Sequence, residues 1–240
     1  MRPSGDVIAA SQLIWIIVCI AALGAVLSLV LQPLDSPRKG VIGMPDGGTL
    51  LREAGFLAII FSAALIQGSH AAYYTFASID WQAQGLGGLT IAALWALGVL
   101  AEILVFALSP RFTLKPAALV VVGGLSAVTR WLIAAQEPPV GVLALVQLAH
   151  GLTYGLTQLG TMALLVRHVP VHVMARGQGY LAACSGIVTS SASIVSGAIY
   201  ARYGHGVYYA MAAMAAIGTT VMWLARLRLG DHPHSAASGG

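Results

Sequence analysis

The sequence predicts an all-α protein, a polytopic membrane helical bundle with seven transmembrane helices. Of its 240 residues, 58% are hydrophobic and only 8% are charged, and the mean hydropathy is +0.84. A soluble domain carries about 25% charged residues, so a chain this apolar needs lipid as the solvent for its surface. Crossing a bilayer takes roughly 20 apolar residues. Seven stretches are long and apolar enough, at approximately 9–32, 52–77, 88–109, 116–135, 140–167, 178–200 and 206–226.

The segments between these stretches are rich in residues that end helices. Pro, Gly and charged side chains, which mark turns between periodic segments, concentrate at 33–48, 82–88, 109–116, 137–139, 167–177 and 202–206. The first of these breaks is the longest, which indicates a linker between one leading helix and a six-helix unit. The sequence therefore predicts a leading transmembrane helix at 1–33, a cytoplasmic linker at 34–51, a six-helix unit at 52–228 and a disordered tail at 229–240.

The Lys and Arg residues predict the orientation of the helices. If the linker is cytoplasmic, nine basic residues fall on the cytoplasmic side and only Arg2 and Arg202 fall outside. This bias predicts an N-terminus outside and a C-terminus in the cytoplasm, and it accounts for the net charge of +4 without a nucleic-acid partner. The absence of Asn, with ten Arg against two Lys, is typical of GC-rich bacterial genes. The predicted location is therefore the bacterial cytoplasmic (inner) membrane, which the chain crosses several times.

Glu102 is the only acidic residue deep within an apolar stretch. Trp95, Gly98 and Glu102 follow helical spacing and are expected to share one face of their helix. Because polar groups are costly inside a bilayer, each is a functional candidate. Glu102 is interpreted either as a carboxylate that carries a proton or as a structural carboxylate that pairs with a neighbouring helix or reaches the cytoplasmic loop.

Arg130 is a cation within the fourth apolar stretch. One interpretation is a counter-charge for an anionic substrate or for a carboxylate. The other is a side chain that extends to the outer interface beside Trp131, as long basic side chains do near helix ends. The predicted depths of Glu102 and Arg130 differ by several ångströms, so a direct ion pair between them is not expected.

Two polar triplets at helical spacing lie within apolar stretches. A histidine in the membrane can shuttle protons because it titrates near physiological pH, or it can be a neutral hydrogen-bonding group in the packing. We predict that Glu102 and His150 couple the protein to protons. The triplets are Gln67, His70 and Tyr74 in one stretch and Gln147, His150 and Tyr154 in another. The predicted substrate path is lined by seven residues: Gln67, His70, Tyr74, Trp95, Arg130, Gln147 and Tyr154.

Several other classes of protein lack support in the sequence. There is no Gly-rich phosphate loop, no His-Glu-x-x-His motif and no cysteine cluster, since Cys19 and Cys184 stand far apart. We therefore predict no ATP-driven pump, no cofactor and no metal. Ser185 is the one feature that an intramembrane enzyme would use, but no histidine in the following helix could activate it, so the chain is predicted not to be an enzyme.

The residues around these triplets resemble a known family. Gln67-Gly68-Ser69-His70-Ala71-Ala72-Tyr73-Tyr74 resembles the start of the C-terminal half in phenylpropionate permease-like members of the major facilitator superfamily. The 94–102 run resembles the next helix of that group. Arg130-Trp131, the 147–150 stretch and Gly204-His205-Gly206 follow in the same order. The resemblance covers roughly residues 50–227.

The resemblance implies a transporter of twelve helices in two six-helix halves. Here the leading helix would be the sixth of these, and 52–228 would be the C-terminal half. The implied activity is secondary active transport, a proton-coupled uptake of a small organic solute such as the aromatic carboxylate 3-phenylpropionate. The solute would bind between the two halves, which rock to give alternating access. The implied partners are the lipid bilayer, this solute and the proton.

The chain departs from the family pattern in two places. The first five helices are not represented, and the loop from Arg111 to Lys115 lacks the full Gly-x-x-x-Asp-Arg signature of the superfamily. The chain is therefore expected to be incomplete as a single transporter, and to need either a separate N-terminal half or a second copy. The alternative is a non-transporting membrane fragment or scaffold that requires a partner half.

Overall fold

The computed structural model describes residues 15–16, 18–20, 22–24, 26–27 and 47–230. The chain forms two compact units, Met1–Met44 and Pro45–Gly240. In the first unit, the described positions between 15 and 27 are α-helical. Most of the predicted linker, the remainder of the predicted leading helix and the tail from 231 lie outside the described residues.

The described part of the second unit is helical throughout. It opens with a 3₁₀ turn, Gly47–Arg52, and continues with eight α-helices. The Gly151–Leu156 segment between α5 and α6 is a π-helical turn, and 3₁₀ turns lie at Val171–Val173 and Gly204–Gly206. The helices are α1 (Ala54–Gly68), α2 (Ala71–Ala83), α3 (Gly88–Leu108), α4 (Pro116–Ala134), α5 (Val140–His150), α6 (Thr157–His168), α7 (Met174–Tyr203) and α8 (Val207–Gly230).

Five ranges of the described chain are long and apolar enough to cross a membrane. They are Ala54–Ala83, Gly88–Arg111, Pro116–Ala134, Val140–His168 and Val171–Leu229. The last range has 59 residues and contains both α7 and α8, with the Gly204–Gly206 turn between them. The predicted all-α membrane bundle is confirmed, and the exact number of seven helices stays a prediction.

Helix α1 lies at the centre of the bundle, where it packs against α6, α7 and α8. The contact between α1 and α8 is close because a glycine, Gly218, lies on the α8 side. The Ser62 hydroxyl donates to the carbonyl oxygen of Gly218 at 2.7 Å, and a Cβ built at Gly218 would lie 2.9 Å from the Ser62 carbonyl oxygen. Small residues of this kind let helices approach where lipid provides no hydrophobic driving force.

Gly151 and Gly155, which form a GxxxG pattern in the sequence, face α3. A Cβ built at Gly151 would lie 2.5 Å from the Ala101 carbonyl oxygen, and one at Gly155 would lie 3.0 Å from the Val105 side chain. The pair therefore sets the distance between α3 and the π-helical turn.

Helix α7 is the least covered helix of the bundle. Its buried residues are only Gly177, Leu181 and Ser196. The small residues of α7 between 186 and 197 have few contacts within the described chain, since a Cβ at Gly186 would meet no heavy atom within 4 Å. This part of α7, like much of α3, is left for lipid or for another polypeptide.

The helix termini divide into two ends. Lys115, Arg167, His168 and Arg226 line one cavity where α4 begins and where α6 and α8 end. We call this the basic end. The α2–α3, α4–α5 and α7–α8 connections lie at the opposite end, which we call the 137 end after its central residue.

Replacing Gly151 by Ala should destabilise the bundle. The added methyl group collides with α3 backbone atoms, which cannot rotate away, and overpacking of this kind costs about 1–3 kcal/mol. Thermal unfolding of the purified chain in detergent, followed by tryptophan fluorescence, should show a lower midpoint. Gly141→Ala in α5 is the matched control, because its Cβ meets nothing within 4 Å. Equal midpoints for the two variants would contradict the packing described here.

Candidate functional site

The first membrane-spanning range is interrupted at Ser69 and His70, between α1 and α2. Side chains stabilise the interruption. The Ser69 hydroxyl donates to the Ile66 carbonyl oxygen at 2.6 Å, and His70 Nδ1 lies 3.2 Å from the Ile66 and 3.1 Å from the Gln67 carbonyl oxygen. The sequence predicted an unbroken helix here. The break arises because Ser and His side chains compete for the carbonyl groups that a regular helix would use.

A second irregularity, the π-helical turn Gly151–Leu156, lies directly opposite the first. Thr153, in this turn, has its hydroxyl 3.1 Å from His70 Nε2. Since His70 Nδ1 faces only carbonyl oxygens, its proton lies on Nδ1 and its Nε2 is an acceptor. The Thr153 hydroxyl that faces this Nε2 also lies 3.1 Å from the His150 carbonyl oxygen. π-helical turns occur frequently at functional sites. Two irregular segments thus join through one buried hydrogen bond, and His70 is fully enclosed.

Arg130 is the central residue of a cluster of buried polar side chains that includes His70 and Thr153. It projects from α4 into the bundle and is 1% exposed. Its Nε donates to the Val146 carbonyl oxygen at 2.9 Å, and Nη1 lies 3.0 Å from His150 Nδ1. Longer contacts reach the Thr153 hydroxyl at 3.5 Å and Gln147 Oε1 at 3.4 Å. The side chain does not extend to the interface, so that interpretation of Arg130 is wrong.

The neighbours of Arg130 are neutral. Among the described residues, no carboxylate lies within ion-pair distance of the guanidinium. The central carbon of the guanidinium, Cζ, lies instead 4.5 Å from the ring centre of Tyr73 and 4.6 Å from that of Trp131. Aromatic faces stabilise a cation, but they leave its charge uncompensated. A buried charge without a counter-ion is costly, so this arrangement favours the approach of an anion.

His150 connects Arg130 to Glu102. Arg130 can only donate, so His150 Nδ1 accepts and the proton of the neutral ring lies on Nε2. That nitrogen is 3.7 Å from Glu102 Oε2. Glu102 and Arg130 are therefore joined through an imidazole rather than in a direct pair, as their predicted depths indicated. The three side chains form a chain Arg130–His150–Glu102 from the buried interior to a half-buried carboxylate.

Gln147 adds an unsatisfied donor beside Arg130. The Tyr73 hydroxyl donates to Gln147 Oε1 at 2.7 Å, which fixes the orientation of the amide. Gln147 is fully buried, and its Nε2 has no hydrogen-bond partner. A Cβ built at Gly98 would lie 3.3 Å from Gln147 Oε1, so the glycine makes room for the amide. An unpaired buried N–H points to a ligand acceptor.

Aromatic rings surround the polar side chains of Arg130, His150 and Gln147. The ring centres of Tyr73 and Trp95 are 4.7 Å apart, and Tyr74 stacks on Trp95 with its ring centre at 6.2 Å. Tyr154 stacks on His150 at 5.7 Å. Tyr74 is 48% exposed, whereas Trp95 and Tyr154 are half-buried. We call this surface, formed by Tyr73, Tyr74, Trp95 and Tyr154, the aromatic wall.

Comparison with known proteins identifies the family. Residues 7–211 match the MFS_1 like family. The chain belongs to this family of the major facilitator superfamily. It is 31% identical over 197 residues to the probable 3-phenylpropionic acid transporter of Escherichia coli (strain K12), a match that covers 80% of this chain and 51% of that relative. The chain thus spans about half the length of the curated relative that it matches. No solved structure matches significantly.

Family membership confirms several predictions from the sequence. The resemblance to phenylpropionate permease-like members of the superfamily is confirmed, as is the prediction of a multi-pass membrane protein of a transporter family rather than an enzyme. Among the described residues, no group of His, Cys, Asp and Glu is arranged to hold a metal ion.

In this member of the MFS_1 like family, nearly all the predicted site residues lie together. Gln67 is at the margin, because its Nε2 donates to Gln158 Oε1 at 2.7 Å and not to the central cluster. Sequence reasoning missed Tyr73 and Thr153. Tyr73 lies beside the 67, 70, 74 triplet and was not part of it, yet its hydroxyl donates to Gln147 Oε1. Thr153 lies in the π-helical turn, where its hydroxyl faces His70 Nε2.

Replacing Thr153 by Val should destabilise the cluster. Valine keeps the shape of threonine but leaves His70 Nε2 without a donor, and an unsatisfied buried group costs about 1–3 kcal/mol. The measurement is thermal unfolding in detergent. Thr129→Val is the matched control, since Thr129 is exposed and donates only to its own helix. If both variants unfold at the same temperature, the Thr153 bond does not hold the two irregular segments together.

Proposed function

We propose that this chain forms the C-terminal half of a secondary active transporter that takes up a small organic anion together with a proton. The observation that carries the proposal is the buried guanidinium of Arg130, which contacts only neutral groups and aromatic rings. A carboxylate is the matching ligand, because Arg presents two parallel N–H groups to it. Gln147 Nε2, which has no partner, supplies a third donor.

An aromatic carboxylate suits the site better than an aliphatic one. Tyr74 and Trp95 present a stacked, accessible surface next to the polar groups, and aromatic pairs add about 0.5–1.5 kcal/mol beyond the burial of their area. The relative from Escherichia coli is named as a probable 3-phenylpropionic acid transporter. Both arguments support 3-phenylpropionate, or a close analogue, as the solute.

The Arg130–His150–Glu102 chain gives a physical basis for proton coupling. Without solute, Arg130 donates to His150 Nδ1 and keeps that lone pair occupied. A solute carboxylate that takes the Arg130 N–H frees Nδ1, so that His150 can bind a proton while its Nε2–H faces Glu102. The positive charge gained on the imidazole offsets the negative charge of the solute. Anion and proton are then most stable when both are bound, as a symporter requires.

The proposed transporter is completed by a second polypeptide or a second copy of this chain. The six spans of the 52–228 unit would be the C-terminal half, with the basic end in the cytoplasm. The uncovered faces of α3 and α7, the exposed Tyr74 and the half-buried Glu102 support this arrangement, because they leave surface that another polypeptide can cover. The second candidate function is a membrane fragment or scaffold that does not transport without a partner half.

Arg130→Gln should abolish binding of 3-phenylpropionate. A hydrogen-bonded charged group contributes about 1.5–3 kcal/mol, so the dissociation constant should rise at least about tenfold. Binding is measured by calorimetry on the purified chain in detergent. The control Arg202→Gln removes an exposed arginine from the 137 end and should bind as the unmodified chain does. Equal binding by both variants would mean that Arg130 is not the anion site.

Glu102→Gln should separate solute movement from proton movement. In vesicles containing the chain, a pH gradient should no longer drive accumulation of 3-phenylpropionate, while exchange of labelled for unlabelled solute should continue. The control is Glu53→Gln, an exposed carboxylate outside the spans. Full accumulation of 3-phenylpropionate by Glu102→Gln would contradict a role of Glu102 in proton coupling. Binding without transport by the unmodified chain would establish the second candidate function.

A further inference from the structure

A second group of acid and base side chains lies at the 137 end, separate from the Arg130 centre. His205 stands between two carboxylates: its Nδ1 is 2.9 Å from Glu137 Oε1, and its Nε2 is 3.5 Å from Asp80 Oδ2. The Tyr200 hydroxyl donates to Asp80 Oδ1, and Gln84 Nε2 lies 3.5 Å from His205 Nε2. These side chains come from α2, from α7 and from the connections after α2, α4 and α7.

The group runs from the surface into the protein. The side chain of Glu137 is 61% exposed, that of His205 is 20% exposed and that of Asp80 is 4% exposed. Asp80 Oδ2 is buried and makes no hydrogen bond, and the His205 ring faces it with Nε2 at 3.5 Å. An imidazole therefore separates a carboxylate in water from one inside the bundle. Tyr208 is the remaining titratable neighbour, with its ring centre 6.4 Å from that of His205.

The backbone at Glu137 is strained to hold this geometry. Glu137 has φ of 51°, in the left-handed region that non-glycine residues avoid. It also precedes Pro138, which favours an extended conformation in the residue before it. Such strain costs of order 1–3 kcal/mol and clusters at functional sites. In return, the Glu137 carboxylate contacts the His205 ring.

A small cavity is lined both by residues of this group and by neighbours of Arg130. Asp80, Glu137 and His205 line one part of it, and Tyr73, Trp131 and Gln147 line another. Gln147 in turn contacts Arg130, and Tyr73 lies under the guanidinium. Glu137 and Gln147 thus line the same small cavity, and Gln147 contacts the proposed anion site at Arg130.

We propose that Glu137, His205 and Asp80 form a proton relay at the mouth of this cavity. The proton leaves the Glu137 carboxyl oxygen and bonds to His205 Nδ1, and the ring passes its Nε2 proton to Asp80 Oδ2. The ring is then neutral, with its bare Nε2 accepting from Gln84. It returns to the starting tautomer by losing the Nδ1 proton to water and regaining one from water at Nε2. Delivery of this proton to the Arg130 centre rests on the proposed function, whereas proton binding at the relay does not.

Infrared spectroscopy of the purified full chain tests proton binding directly. After a rapid drop in pH, the band of protonated carboxyl groups should gain a component that disappears in Asp80→Asn and persists in Glu102→Gln. In His205→Gln this component should form at least about tenfold more slowly, as expected when a positioned acid–base group is lost. The controls are Glu53→Gln and His172→Gln, which change exposed side chains away from the 137 end.

Two further observations keep the outcome decisive. Tyr200→Phe removes the hydroxyl group that donates to Asp80 Oδ1 and leaves the relay path intact. The fast component should therefore remain in Tyr200→Phe. This variant provides a second test if Asp80→Asn does not fold. The relay is overturned if the component forms equally fast in His205→Gln, or if sodium rather than pH moves it. A chain that shows the fast component but binds no 3-phenylpropionate would contradict only the proposed function.

Discussion

The burial of one cation determines the arrangement of this bundle. Arg130 lies in an apolar interior and has no carboxylate in contact within the described chain, so every nearby acceptor is recruited to it. The Val146 carbonyl, His150 Nδ1 and the Gln147 amide oxygen each take part of this role. Aromatic faces supply the remaining stabilisation. The helices that carry these groups are consequently fixed relative to α4.

The sequence predicted the class of structure and named most of the residues that lie together in the candidate site, because both depend on strong local signals. Apolar stretches interrupted by turn residues define a membrane bundle without knowledge of its contacts. Polar residues such as Glu102, Arg130 and His150 are conspicuous in an apolar background and rarely lie there without a role. Their pairwise contacts were not predictable, because periodicity gives the face of each helix and not which faces meet.

The errors follow from two irregular segments and from one long side chain. Regular helical spacing fails at Ser69–His70, so Tyr73 was assigned no place at the site although it contacts both Gln147 and Arg130. The depth of Arg130 suggested an interfacial side chain, but its neighbours in the bundle offered better partners than the interface did. The sequence assigned no role to Asp80 or to His205 because each stands near a turn, where charged residues are ordinary.

The π-helical turn has a consequence for the length of the fourth spanning range. Such a turn is equivalent to one residue inserted into an α-helix, which advances everything beyond it by about 100°. Deleting one residue from Gly151–Leu156 would restore a regular helix and keep the hydrogen-bond ladder. His150 and Gly160 would then be rotated relative to each other. His150 could no longer face Glu102 on α3 while Gly160 packs against α4. The inserted residue is thus a spacer that reconciles two packing partners, and its presence fixes the length of this range more strictly than hydrophobicity does.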